Sequence, residues 1–394
     1  MTRVPAKRWA WLAAVLLTAG CGTVGGGGKD VVGWSGPPRL EAGGALRVLW
    51  VERLSPELQG LDGPFTPLQR AVPALDPRRD RIYVGSTEGE LRAFTSSGHQ
   101  EWEYVAGAAI EAAAALTEDG EELYVPDSHG SVHALNTQDG SLRWKDDAGD
   151  AIRQAPVIGE DAVYVVTDAD RLVALARQDG SVLWEYEREI PDGFSITTRA
   201  APVMDDDQLL AAFTDGAVVA LDPSDGRVRW ERDTSLDLDE DLQPAFRDVD
   251  TTPVIRGDTI YIASYSGGLY ALDRRNGSVQ WRDPERTGIV GLALDPSGEH
   301  LVASSGDELA VLGLPDREVR WSRPMPRGTA TTAVTHRGLI VVGASEGSLV
   351  ALRMSDGGEV GRLDSGEGFS APPATALARG FALSNGGTLF AFEL

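Results

Sequence analysis

The chain has 394 residues, 46 of them glycine and one cysteine, and a formal net charge of −24. That acidity excludes a nucleic-acid binder, which needs a basic patch, and a surface that lies flat on anionic lipid. A single cysteine excludes a disulfide framework, and the lack of long helical periodicity leaves an all-β class as the natural one.

Residues 1–20 stand apart from the rest of the chain. Arg3, Lys7 and Arg8 form a basic start, and the apolar stretch 9–17 is too short to span a bilayer as a helix. Leu17-Thr18-Ala19-Gly20-Cys21 is similar to a bacterial lipobox, with Thr18 where leucine is usual. The resemblance implies cleavage before Cys21 and lipidation of that residue. An ordinary secretory signal with an incidental cysteine is the alternative. Residues 21–44 are rich in Gly and Pro and read as a flexible tether, so the folded body is expected over 45–394.

Within that body one phrase recurs. It is fullest at 264–281 (SYSGGLYALDRRNGSVQW) and returns at 130–144, 170–184 and 216–230, with fainter copies at 89–102, 307–321, 347–361 and 387–394. In its fuller copies the phrase is two strands about an Asp-Gly or Asn-Gly pair, which supplies the positive φ of a tight hairpin, and it ends in tryptophan. Pro156-Val157, Pro202-Val203 and Pro253-Val254 open a further strand in their repeats, and a second apolar strand comes after each. Trp102, Trp144, Trp184, Trp230, Trp281 and Trp321 are separated by 42, 40, 46, 51 and 40 residues. Four short strands at this period predict propeller blades, eight in all. The last copy stops at Leu394 with no Trp strand after it. The segment 46–51, with Trp50, is expected to complete that blade, so that the two ends of the chain pair and leave no open sheet edge. The tryptophans are expected to pack between blades.

Few residues look reactive. Gly343-Ala344-Ser345-Glu346-Gly347 matches the G-x-S-x-G of serine hydrolases, which requires a strand-to-helix elbow. Here it aligns with 85–89 and 264–268 and reads as a hairpin turn. His99, His129, His133, His300 and His336 are scattered. The acidic run 237–241 lacks the glycine and spacing of a calcium loop. No catalytic residue, metal site or cofactor site is expected.

The two widest tryptophan spacings mark where the repeat is interrupted. The surplus lies at 187–199 and 232–250, in adjacent connections between blades, both on one face. Long loops on a rigid repeat scaffold are where binding usually resides. The first carries Phe194 and Ile196, the second many carboxylates.

The A-L-x-x-x-x-G-x-x-x-W phrase resembles the blades of pyrroloquinoline-quinone-dependent dehydrogenases, which are eight-bladed propellers. That resemblance implies the fold and not the activity. Those enzymes are larger and carry a vicinal disulfide beside the cofactor, which one cysteine cannot form. A second resemblance is narrower. The lipobox, the short tether, the eight repeats and the run Asp248-Val249-Asp250-Thr251-Thr252-Pro253-Val254, continuing through 265–273, resemble the BamB family. Its members are lipoproteins of the machine that assembles outer-membrane β-barrels. The resemblance implies that Asp248 and Asp250, with an apolar-apolar-Arg loop in the preceding blade, bind the POTRA repeats of BamA. Phe194 and Ile196 stand for the two apolar residues. Thr197 takes the place of the arginine, and Arg199 lies two positions on. The family implies a non-enzymatic scaffold, anchored through Cys21 to the periplasmic face of the outer membrane. Its partners would be BamA and other subunits of the machine, and unfolded outer-membrane proteins. The alternatives are a lipid-anchored periplasmic quinoprotein dehydrogenase and a ligand-binding or adhesion propeller with another partner.

Overall fold

The computed structural model describes residues 43–44, 46–54, 68–188, 200–238, 246–325 and 327–394. Their strands form eight separate antiparallel sheets, the blades of an eight-bladed propeller, as the repeat predicts. In each blade strands A to D succeed one another in space, except that blade 8 takes its D strand from the N-terminal side. Blade 3 is representative: Val157–Ile158, Ala162–Val166, Arg171–Ala176 and Val182–Glu187. Strand A of blade 8 (Ala374–Ala376) lies beside strand A of blade 1 (Ala74–Asp76), which closes the circle.

The B and C strands are apolar at successive positions because a blade is covered on both faces. In strand B of blade 4, Leu209 and Ala211 pack with blade 3, whereas Leu210 and Ala212 pack with blade 5. The core is therefore a ring of inter-blade layers and not one central mass.

Most layers have a lock built on the recurrent tryptophan. A bulge precedes Trp184, so that Trp184 faces Ala174 while Val182 faces Leu175; the extra residue turns the strand locally. The indole then lies against Tyr164 of its own blade, with ring centroids 5.7 Å apart. It donates Nε1–H to the carbonyl of Pro223 in the C–D turn of blade 4, at 3.0 Å. Gly226 in that turn has φ +70, and a Cβ there would fall 2.6 Å from the ring. Glycine is required for both reasons. The same lock joins Trp102 to Thr137, Trp144 to Arg177, Trp321 to Met354 and Trp50 to Ser96. In blade 6 the glycine is replaced by Arg317, at φ 63, whose guanidinium lies 5.6 Å from the Trp281 ring centroid.

Ring closure takes the expected route. The strand Arg47–Arg53 pairs with Thr388–Glu393 as strand D of blade 8, with Trp50 opposite Ala391. One feature differs from the sequence-based expectation. Gly43–Gly44, expected in the tether, forms a fifth strand on the outer edge of blade 7, with Gly43 opposite Arg362 and Gly44 opposite Gly361. Gly361 occupies the position that carries tryptophan in the other repeats. Blade 8 is split between the chain ends, so it has no C–D turn for a tryptophan of blade 7 to grip. Leu46, 1% exposed, instead packs with Leu363, Phe369 and Phe392 in that layer.

Candidate functional site

The antiparallel order of each blade fixes which segments share a face. A–B and C–D turns lie on one side of the ring, and B–C turns with the D–A connections lie on the other. Both long connections, 187–199 and 232–250, are D–A connections, so they share a face, between blades 3 and 4 and between blades 4 and 5.

The ends of both connections are pinned. At the start of the first, Arg188 pairs with Asp215 at 2.6 Å and Glu231 at 3.1 Å, which ties it to blade 4. The second leaves strand D of blade 4 (Val228–Asp233) through Thr234, whose N–H and Oγ1–H both donate to the Gly216 carbonyl, at 2.9 and 2.8 Å. A single 3₁₀ turn, Ser235–Asp237, comes next. Arg282 of blade 5 holds it, donating to the carbonyls of Asp237 at 3.0 Å and Gly267 at 2.8 Å. Arg282 also lies over the Tyr270 ring, whose hydroxyl is pushed to a higher pKa by burial.

The returning arm, 246–252, is knitted to the B–C turn of blade 5. Tyr265 N–H donates to the Asp248 carbonyl at 2.9 Å, and Ser266 N–H to the Phe246 carbonyl at 3.3 Å. Val249 N–H donates to the Phe213 carbonyl of blade 4 at 3.2 Å, and its side chain enters the layer between blades 4 and 5. Thr251 Oγ1 accepts from Ala263 N–H at 2.8 Å. Thr252 Oγ1 accepts from Ala201 N–H at 3.1 Å, joining the end of the first long connection to the end of the second. The D-V-D-T-T-P-V run is thus a bracket that ties blade 4 to blade 5 and ties the segment after the first long connection to the end of the second.

Asp248 and Asp250 sit in this bracket and are 1% and 6% exposed. Both are buried in the folded chain. Cys21, Phe194, Ile196, Thr197 and Arg199 lie outside the described residues. The arm presents to solvent Phe246, 38% exposed, and Arg247; the 3₁₀ turn presents Leu236, 78% exposed. The Phe246 ring stands edge-on to Tyr265, with centroids 5.7 Å apart. Sequence reasoning did not single out these residues. The available signal was an aromatic residue inside a connection otherwise rich in charge. The G-x-S-x-G segment is the B–C turn of blade 7, between Leu339–Val342 and Leu349–Arg353, and leads into a strand where a hydrolase elbow leads into a helix. His133 is buried, with Nε2 2.9 Å from Asp127 and Nδ1 2.9 Å from the Tyr104 hydroxyl.

Known proteins resemble the chain in both sequence and fold. The family described as "Outer membrane protein assembly factor BamB" matches residues 88–323, which run from blade 1 to blade 6. The chain belongs to the BamB family. The outer membrane protein assembly factor BamB of Yersinia pestis is 26% identical over 97% of this chain and 97% of its own length. That of Shewanella oneidensis is 27% identical over 79% of this chain and 81% of its own. Among solved structures, BamB from Moraxella catarrhalis superimposes with a TM-score of 0.76 at 22% identity, covering 89% of this chain and all of that one. The quinohemoprotein alcohol dehydrogenase of Comamonas testosteroni gives 0.66 at 14% identity, covering 89% of this chain and 76% of that one, and shares the fold.

Proposed function

We propose that this member of the BamB family is a non-enzymatic scaffold in outer-membrane protein assembly. It would be anchored through Cys21 to the periplasmic face of the outer membrane and bind the POTRA region of BamA with the D–A face of blades 3 to 5. The observation that carries this reading is the bracket. The run most specific to the family is folded as a bonded bracket at the described ends of the two long connections. Fixed loop ends leave less to be ordered when a partner binds. The proposed contact loop 187–199 holds Phe194, Ile196, Thr197 and Arg199. Asp248 and Asp250 belong to the base of the second loop.

The test is retrieval of the full lipidated chain from native envelope extract. BamA is expected to co-purify, and to be lost when 189–199 is replaced by a Gly/Ser segment of equal length. Retention of BamA by that replacement, or its absence from the wild-type eluate, would refute the reading. The propeller shared with quinohemoprotein dehydrogenases sets the second test. Addition of pyrroloquinoline quinone with Ca²⁺ is expected to give neither cofactor absorbance nor dye reduction.

A further inference from the structure

We propose that Leu236, Phe246 and Arg247 form a contact surface of their own between blades 4 and 5, and that the buried carboxylates beside them act as its frame. The proposal rests on the docking role assigned to this face and gives it to different side chains. Its occupant is a protein surface with an apolar depression bordered by carboxylates.

Three observations lead there. First, Asp248 and Asp250 are 1% and 6% exposed, so their carboxylates present almost no surface to an arriving partner. Second, among the described residues most of the exposed large apolar side chains lie on the outermost strands, as with Val182, Leu183, Val228 and Val319. Leu236 and Phe246 do not. They stand on a connection, on the face where the long loops rise. The segments that carry them come together at Gly216, where an added Cβ would lie 3.1 Å from Ser235 N and 3.2 Å from the Arg247 carbonyl, each one residue away in the chain from Leu236 or Phe246. Third, the two residues are held from below. Leu236 sits on a turn fixed by Arg282 and by the Arg232–Asp237 ion pair. Phe246 is fixed through its carbonyl by Ser266 and through its ring by Tyr265.

Exposed apolar groups on a pre-ordered base have the character of interface anchors: little conformational entropy remains to be lost when they are covered. Arg247 sets the charge of the partner. It is an exposed cation on a chain of net charge −24. A partner with carboxylates near the apolar depression gains from it, whereas a uniformly basic partner would be drawn to the acidic surface elsewhere.

The experiment compares variants by BamA co-purification from envelope extract, with thermal unfolding measured on each. Leu236→Ser with Phe246→Ser, and separately Arg247→Glu, are expected to lower BamA recovery by about tenfold or more. Leu236 is 78% exposed and Arg247 is exposed, so changing them should leave the unfolding temperature at the wild-type value; Phe246, 38% exposed and edge-on to Tyr265, is expected to cost some stability, so Leu236→Ser alone is measured beside the double variant. Asp250→Asn is expected to lower the unfolding temperature. Full recovery of BamA by both surface variants, with wild-type recovery normal, would overturn this proposal and leave the docking reading standing. Failure of the wild-type chain to recover BamA would remove both. Surface variants that lose BamA only in proportion to a fallen unfolding temperature would also overturn it.

Discussion

The tryptophans and the turn glycines they touch are the residues on which the ring depends most. Trp184 fills the layer between blades 3 and 4 and satisfies the Pro223 carbonyl. Trp184→Ala removes both and leaves a void, so a loss of about 3–5 kcal/mol is expected in denaturant unfolding. Gly180→Val should also destabilise, since its φ of +82 and the Trp144 ring, 2.5 Å from an added Cβ, both oppose a side chain. The aspartates of the C–D turns add a pH dependence. Asp222 accepts from Ser224 Oγ at 2.6 Å, from Arg229 at 2.9 Å and from the Ser224 N–H at 3.0 Å, which brings its pKa down to about 2. Asp139 and Asp179, each directly before the glycine of its own C–D turn, accept from Ser141 and Ser181 and are likewise lowered. A carboxylate whose folded pKa lies below its unfolded value of about 3.9 stabilises the fold fully above that value, and the contribution fades as the pH falls through the folded pKa. The urea midpoint is therefore expected to drop between pH 5 and pH 2, and Asp222→Asn should reduce the slope. An unchanged slope in that variant would show that the turn carboxylate is not linked to folding.

Among the elements, the short strand Gly43–Gly44 has a consequence for the seam at blade 7. The blade 7–8 layer lacks the tryptophan lock because the facing turn does not exist, and Leu46 with the paired glycines fills the gap. Gly361 is part of that arrangement: the position where a Gly44 Cβ would sit is 3.1 Å from the Gly361 Cα, so the backbones approach closely. Gly361→Trp, which restores the repeat's consensus, is therefore expected to lower the unfolding temperature. A rise would show that the seam lacks only its tryptophan. Removing residues up to 45 should also lower it, because the outer edge of blade 7 loses its paired strand.

At the scale of the whole molecule, the chain ends meet in blade 8, so that this blade too has four strands and the circle is complete. A chain beginning at residue 68 would lose strand D of blade 8 and uncover the edge of Thr388–Glu393. Such a chain is expected to self-associate in size-exclusion chromatography, as unpaired edges do. Closure also explains why one face can specialise. With the layers fixed by repeated locks, the D–A connections can lengthen after blades 3 and 4 without disturbing the packing beneath them.

The fold was legible in the sequence because its period is carried by the residues that make it. Trp, Ala-Leu and Asp-Gly mark the C–D hairpins, Pro-Val marks strand A, and the unmatched segment around Trp50 marks the closing strand. The position of the long connections was legible for the same reason, since a fixed period exposes any surplus. The Gly361 substitution was readable as a missing tryptophan, yet its cause was not, because the absent turn and the paired glycines belong to segments more than 300 residues apart. The burial of Asp248 and Asp250 was hidden too. A carboxylate in a connection looks the same in sequence whether it is exposed or buried, and the backbone bonds of Asp248 with Tyr265 and of Val249 with Phe213, which seat this arm against blades 4 and 5, join residues distant in the chain. The sequence determined the number of blades and the order of strands, which depend on local period; the tertiary structure decided which side chains of the bracket meet solvent, which depends on contacts between blades.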